Sequence, residues 1–524
     1  MASMEEFDLV VVGAGPHALS LLGRLVEDSP DLLTERRRAS VAARAGSRGP
    51  PPAALRRGFA SAASASAALR RVLVIDAHGA WLAQWSRDFA ALRIRYTRSH
   101  ADLHPCACAF ASLRSWAQLK RRTAELLPLH APREHGFGGP FTAPSTRLFE
   151  DFCAALVARY GLAPLLRAAL VTQIHCRPAA PSAGGPSGFE LRLADGSAVG
   201  ARRVVLAIGP GPAFEGMRKT LPWWAETLQA ELHEAGVASR LRHSQQLVEW
   251  LSGGGAAELR GSRVLLIGGG QTCAHLALLA CGAGCERVVV AARRRLMVKP
   301  FDVNLELVGD RRGELLDKFA KIKTAHERLA FISGMRGGGS MSPEVHSELM
   351  RNCVLEGEEK EEKEEVQKQE VDGVGEAKGN GAAAGRLLEE VEVHEAHWAT
   401  SAEGGEFDAY VGCPLRGRGE VAVRFDDGRA AYFDHVWLAT GGALDLRLVP
   451  LLASLLEQRP IPTAGGLPQL QPDLAWDSEC PLYVMGAFAQ LVLGPDALNL
   501  AGARSGGVLV AKALRPHVRV DGAP

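Results

Sequence analysis

Two short segments carry glycines at a spacing that suits phosphate binding. The first is Asp8-Leu-Val-Val-Val-Gly13-Ala-Gly15-Pro16-His17-Ala18, an apolar run, a Gly-x-Gly turn and the start of a helical apolar pattern. The second, Arg263-Val-Leu-Leu-Ile-Gly268-Gly-Gly270-Gln271-Thr272-Cys273-Ala274, follows the same plan. In such a turn the first glycine makes the tight bend and the second lets the backbone approach a pyrophosphate. The third small residue, here Ala18 or Cys273, lets the helix pack closely on its strand. The free amides that open the helix then face the phosphates.

The residue type at the end of the following strand tells which dinucleotide fits. After the first turn the strand Val72-Leu-Val-Ile-Asp76 supplies a carboxylate for ribose hydroxyls. Asp76 stands 61 residues after Gly15, and without the stretch 29–69 the separation falls to about 20, the usual spacing. After the second turn, Arg287-Val-Val-Val-Ala-Ala292 ends in Arg293-Arg294-Arg295. Guanidinium groups there suit a 2′-phosphate through charge-assisted bonds, which points to NADP rather than NAD. Lys299 is a weaker phosphate candidate.

These turns need parallel strands buried on both faces, and each apolar run is short and unbroken, as such strands are. An internal repeat supports the same architecture. Leu191-Arg-Leu-Ala-Asp195-Gly196 leads to Val204-Val-Leu206-Ala207-Ile-Gly209, and Val423-Arg-Phe-Asp-Asp427-Gly428 leads to Val436-Trp-Leu438-Ala439-Thr-Gly441. Asp195/Asp427, Val204/Val436, Leu206/Leu438 and Gly209/Gly441 share one offset of 232. Asp-Gly between alternating residues signals a hairpin. The expected fold class is α/β, with two Rossmann-like dinucleotide-binding domains, each with a β-hairpin layer.

Two stretches read as disordered insertions. Residues 29–69 are rich in Arg, Ala and Ser, with nine Arg and no acid between Arg36 and Arg71. Residues 337–385 include eight Glu and three Lys between Glu356 and Glu370. The expected domains are 1–215 and 437–524 for the first dinucleotide, with 216–436 between them for the second.

Composition narrows the classes further. The chain has 524 residues, a net charge of +1, and 47% hydrophobic residues, which fits a globular protein and gives no support for nucleic-acid binding. Apolar runs all stop well short of the roughly 18 residues a membrane helix needs. Met1 to Asp8 is short and acidic, with no apolar signal region, so a cytoplasmic location is expected. The ten cysteines have no regular framework and read as reduced thiols. A disulfide reductase would want Cys-x-x-Cys, which is absent: Cys106 and Cys108 are two apart. Cys281 and Cys285, four apart, read as small apolar residues packed on one helix. His100 and His104 lack a completing set of ligands, so no metal is expected. Ser505 reads as a helix residue rather than a nucleophile. His104 and Gln84 read as structural polar residues.

At these residues the chain resembles the two-dinucleotide-binding flavoproteins, and most of all the flavin-dependent monooxygenases that N-hydroxylate lysine or ornithine. The likeness rests on Gly13-x-Gly15-Pro16, on Gly268-Gly-Gly270-Gln271-Thr272-Cys273-Ala274 and on Leu438-Ala-Thr-Gly441. It rests also on Leu498-Asn499-Leu-Ala-Gly-Ala-Arg504-Ser505, and on Trp81 and Trp85, similar to a segment that approaches the flavin. The resemblance implies FAD at the first site and NADP at the second. It implies an FAD domain made from both chain ends, and transfer of one oxygen atom of O2 to a small amine or other soft nucleophile. Expected cofactor residues are Gly13, Gly15, Pro16, His17, Asp76, Trp81, Trp85, Gly441 and Asn499, with Gly268, Gly270, Gln271, Thr272, Arg293 and Arg294 for NADP. No catalytic side chain is assigned.

Two departures stand out. His275 occupies the position of a family glutamate, and His104-Pro105 with Cys106 and Cys108 does not match the family's substrate segment. Lysine or ornithine is therefore not carried over as substrate. The alternative is a flavin-binding regulatory protein with little turnover, similar to oxidative-stress-induced growth inhibitors.

Overall fold

The computed structural model describes residues 4–27, 69, 71–129, 141–178, 188–209, 217–219, 221–308, 311–355, 385–399 and 419–518. Two parallel sheets form its centre. The first has five strands in the order Leu482–Val484, Val204–Leu206, Leu9–Val12, Val72–Asp76, Leu166–Ala168. Leu9, Val10 and Val11 are wholly buried, as a central strand covered by helices on both faces must be. The strand from the far C-terminal region pairs in parallel with Val204–Leu206, so both ends of the chain build this sheet. The closing helix Leu500–Val518 lies against the helix Pro16–Val26 that follows the first glycine turn. Gly507 makes their close approach possible: a Cβ there would sit 3.1 Å from Ser20 Oγ.

The second sheet has six strands, in the order Leu241–His243, His435–Leu438, Arg263–Ile267, Arg287–Ala292, Gly385–Glu389, Cys353–Leu355. Each parallel sheet carries an antiparallel layer. Val171–Arg177, Gly188–Leu193 and Ala198–Ala201 form one layer, which Glu5–Phe7 joins in parallel beside Ala198–Ala201, and Val393–Ala399, Glu420–Phe425 and Ala430–Phe433 form the other. The two Asp-Gly turns sit where the repeat places them, with Gly196 at φ +84° and Gly428 at φ +85°, a region that favours glycine. The repeat extends to the glycine turns themselves. A Cβ on Gly13 would lie 2.5 Å from Ala207 O, and one on Gly268 would lie 2.5 Å from Ala439 O. Ala207 and Ala439 are themselves 232 residues apart.

Three expectations need correction. The stretch 337–355 is not insertion: it folds into a loop, the helix Pro343–Asn352 and the strand Cys353–Leu355. The missed signal is Met341, Val345, Leu349 and Cys353, all buried at a spacing of four, behind a glycine run that reads as low complexity. The expected boundary at 436 falls inside His435–Leu438, a single strand of the second sheet. Cys285 lies beyond the helix Gln271–Gly282, so Cys281 and Cys285 do not share a helix. Of the expected first insertion, residues 29–68 lie outside the described residues, as do 356–384 of the second. Leu69 is buried in the first core.

A buried ion pair ties the second sheet to its antiparallel layer. Arg263 Nη2 donates to Glu420 Oε1 at 3.1 Å, with side chains 1% and 0% exposed. Removing one partner strands the other charge away from water. Glu420→Ala is therefore expected to lower stability by about 3–5 kcal/mol in a urea titration.

Candidate functional site

The first glycine turn opens on a cavity of about 480 Å³. Its wall includes Gly13, Gly15, Pro16, His17, Asp76, Trp85 and Asn499, together with Ala207 to Gly209 on the returning strand and Leu498 near the C-terminus. The helix Pro16–Val26 has no acid in its first turn, so its amide end is electrically open to an anion. Gly15 has ordinary extended backbone, and a Cβ on it would meet nothing within 4 Å. Its lack of a side chain therefore serves the empty space beside it rather than the fold. Asp76 is set by the turn: Ala14 N–H donates to Oδ2 and His78 N–H to Oδ1, each at 2.9 Å. Trp81 does not line this cavity but packs against the first core. Gln84, which does line it, donates to both oxygens of Asp88 at 2.7 and 2.9 Å, and burial pushes the Asp88 carboxyl up.

His17 Nδ1 is buried without a hydrogen-bond partner among the described residues, as expected of an atom waiting for a ligand. Burial pulls the ring down to about 4, against a hydrogen bond with the Leu498 backbone, so it is neutral near pH 7. Burial likewise brings His275 and His435 to about 4 and His100 to about 3. These values lie below the ordinary 6.5, so between the two the unfolded chain binds more protons than the native one. The stabilisation is full above about pH 6.5 and is lost as pH falls through about 4. A urea midpoint that declines steadily from about pH 7 to about pH 4 is the expected result. A flat profile would show that these rings do not stay neutral.

The second turn opens on a cavity of about 680 Å³, lined by Gly268, Gly270, Gln271, Thr272, Arg293, Arg294 and Arg295. Gly441, expected beside FAD, lines this second cavity instead, and its repeat partner Gly209 lines the first. The reason is topological: each returning strand ends over the turn of its own sheet. Arg293 is 69% exposed and lies 3.8 Å from Glu392, so it is free to swing towards a phosphate. Lys299 Nζ donates to Asn304 Oδ1 and Arg336 O, which makes it an internal tie rather than a phosphate ligand.

The loop Gly337 to Ser340 also lines this cavity and packs against the turn itself. Ser340 O accepts from Gln271 N–H at 3.0 Å, and Gln271 Oε1 accepts from Ser342 N–H at 2.8 Å. Arg98 clamps this loop, donating to Ser340 O at 2.9 Å, Lys299 O at 3.0 Å and Phe301 O at 2.8 Å. Arg98, Gln271 and Asp302 line both cavities, so the two share a wall. Arg98 and Asp302 escaped the sequence reading because neither belongs to a local motif. His275 Nε2 lies 3.1 Å from Gln271 Nε2, and nearby Arg95 and Arg98 add to burial in keeping its ring uncharged. His104 is wholly buried, with Nε2 2.8 Å from Phe110 O, a structural role.

No family model matches the chain, and no curated protein matches it by sequence. Solved structures do match in shape. The ornithine N-hydroxylase of Kutzneria sp. 744, with FAD, NADP+ and L-ornithine, gives a TM-score of 0.59 at 15% identity, covering 98% of this chain and 99% of that one. The FAD-bound cadaverine monooxygenase of Erwinia amylovora gives 0.57 at 14% identity, covering 99% and 96%. L-lysine 6-monooxygenase of Pseudomonas syringae gives 0.56 at 15% identity, covering 98% and 99%. At these identities the likeness establishes the fold, over nearly the whole length of each chain.

Proposed function

We propose that this chain is an FAD-dependent, NADPH-using monooxygenase that hydroxylates a small amine or another soft nucleophile, with O2 as co-substrate. The observation that carries it is the pair of cavities, each opening on a Gly-x-Gly helix end and meeting at Arg98, Gln271 and Asp302. The cofactors of the structural neighbours favour the same assignment. Gly13, Gly15, Pro16, His17, Asp76, Trp85 and Asn499 would hold FAD. Gly268, Gly270, Gln271, Thr272, Arg293, Arg294 and Gly441 would hold NADPH. When bound, the flavin supplies the hydride acceptance and oxygen activation that no side chain can. The chain's own part is to bind, orient and exclude water. Helix amides meet the phosphates, Asp76 receives ribose hydroxyls, and Trp85 with Phe89 and Ile94 makes the first cavity apolar towards the shared wall. On this basis the FAD domain takes residues 1–215 and the C-terminal part, and the NADPH domain the stretch between, extended to the end of His435–Leu438. Among the described residues no helix is long and apolar enough to cross a membrane, and a cytoplasmic location goes with the proposal.

One observation favours the alternative of a binding protein with little turnover. Gln271 N–H, which would meet the coenzyme pyrophosphate, already donates to Ser340 O. NADPH consumption in air with a panel of small amines separates the two. The monooxygenase yields a product one oxygen atom heavier, with NADPH consumed in step. No consumption with any amine, from protein that holds FAD, would favour the regulatory role.

A further inference from the structure

We infer that Arg98 supplies the positive charge that stabilises the flavin once reduction has made it an anion; the inference rests on the reading of the two cavities as FAD and NADPH sites. Three residues line both cavities: Arg98, Gln271 and Asp302. Hydride transfer needs reacting atoms within about 3.5 Å of one another, so the two rings must meet where the cavities do. Of the three residues there, Arg98 alone is a cation. Its guanidinium is fixed, donating to Ser340 O at 2.9 Å, Ser340 Oγ at 3.1 Å, Lys299 O at 3.0 Å and Phe301 O at 2.8 Å. All four acceptors are uncharged, and among the described residues no carboxylate forms an ion pair with it. Its Nε is buried with no partner among the described residues. Asp302, the carboxylate of the same wall, accepts instead from Arg336 Nη2 at 3.2 Å. A charge partly withdrawn from water and left uncompensated costs stability until an anion arrives.

Reduction supplies that anion. Two electrons and one proton pass together from the reduced nicotinamide to the flavin. The nicotinamide is left with one positive charge and the flavin with one negative charge, and nothing else is consumed. A cation already held at the meeting point favours this step, because it does not have to reorganise as the charge appears. The other charges that bear on this wall do not cancel it. Arg98, Lys299 and Arg336 stand against Asp302 and Glu344, three cations to two carboxylates. Burial keeps the rings of His17 and His275 neutral. In the first cavity Asp76 is bonded to the backbone of its turn, and burial pushes Asp88 towards its neutral form.

The test measures the midpoint potential of FAD bound to the full-length protein, by reductive titration against a reference dye, in the wild type, R98Q and R98K. R98Q should bind reduced FAD about tenfold more weakly relative to oxidised FAD, which lowers the midpoint by about 30 mV. R98K keeps the charge but not the fit to four acceptors, and should stay near the wild-type value. Equal weakening of oxidised and reduced FAD in R98Q, the mark of a phosphate contact or a purely structural tie, would leave the midpoint unmoved and overturn the proposal. So would a fall in R98K as large as that in R98Q. One measurement needs no variant: the reduced flavin of the wild type should keep the absorbance of the anion at mildly acidic pH, with one proton taken up per two electrons. Uptake of a second proton there would also overturn the proposal. Failure of the cavity reading looks different, because such a protein takes up no FAD or leaves it oxidised in the presence of NADPH, and the proposal falls with it.

Discussion

Gly15→Val is expected to give a folded protein that has lost FAD. The backbone there is extended, at φ −82°, and a Cβ would meet no protein atom within 4 Å, so the chain itself tolerates a side chain. Loss of the glycine cap and gain in chain stiffness roughly offset one another, leaving stability within about 1 kcal/mol. The cavity, however, is where a pyrophosphate must approach the helix end. A branched side chain in that space should weaken FAD by more than about a hundredfold, about 2.7 kcal/mol. Gly13→Val makes the contrast. With φ at +101° and Ala207 O in the way, that variant should fail to fold rather than merely lose colour. Flavin absorbance and urea unfolding on both proteins check the pair. A Gly15→Val protein that purifies with full FAD would show that the first cavity is not the flavin site.

Replacing Arg293 by Ala should weaken NADPH by roughly ten- to hundredfold, the worth of one or two charged hydrogen bonds to a phosphate. NADH, which has no 2′-phosphate, should be nearly unaffected. The position supports this: Arg293 follows the second strand of the second nucleotide unit and lines its cavity. Its existing partner, Glu392 at 3.8 Å, is over half exposed, so little is lost when the guanidinium turns to a ligand. Arg294 lines the same cavity, and the double variant Arg293→Ala, Arg294→Ala should remove what preference the single one leaves. Titrations of both coenzymes against each protein measure it. Equal losses for NADPH and NADH would refute phosphate recognition at this corner.

The two glycine-turn units were legible because their information is local. A glycine turn, an apolar run and an acid or arginine at the next strand end all lie within one βαβ unit. The repeat fixed the returning strands, down to Ala207 and Ala439 pressed against Gly13 and Gly268. Asp76 could be found across a long intervening stretch because the spacing closed once that stretch was set aside. The shared wall was not legible. Arg98 meets Ser340, 242 positions away, only because the folded sheets bring them together, and three of its four acceptors are backbone carbonyls that any residue supplies. Gly337 to Ser340 looked like filler for the same reason: the glycines there let a loop lie against Gly270, with Gly339 Cα 3.5 Å from where a Cβ of Gly270 would stand. Gly441 was expected at the first cavity and lines the second, because a strand-end motif does not say which of two similar turns lies beneath it.

The most direct test mixes the purified protein, loaded with FAD, with NADPH or NADH in the absence of oxygen and follows the oxidised-flavin absorbance. Rapid bleaching by NADPH, much slower bleaching by NADH, and recovery of the absorbance when oxygen is admitted are the predicted results. A protein that neither contains nor takes up FAD, or an FAD-loaded protein that NADPH leaves fully oxidised, would contradict it.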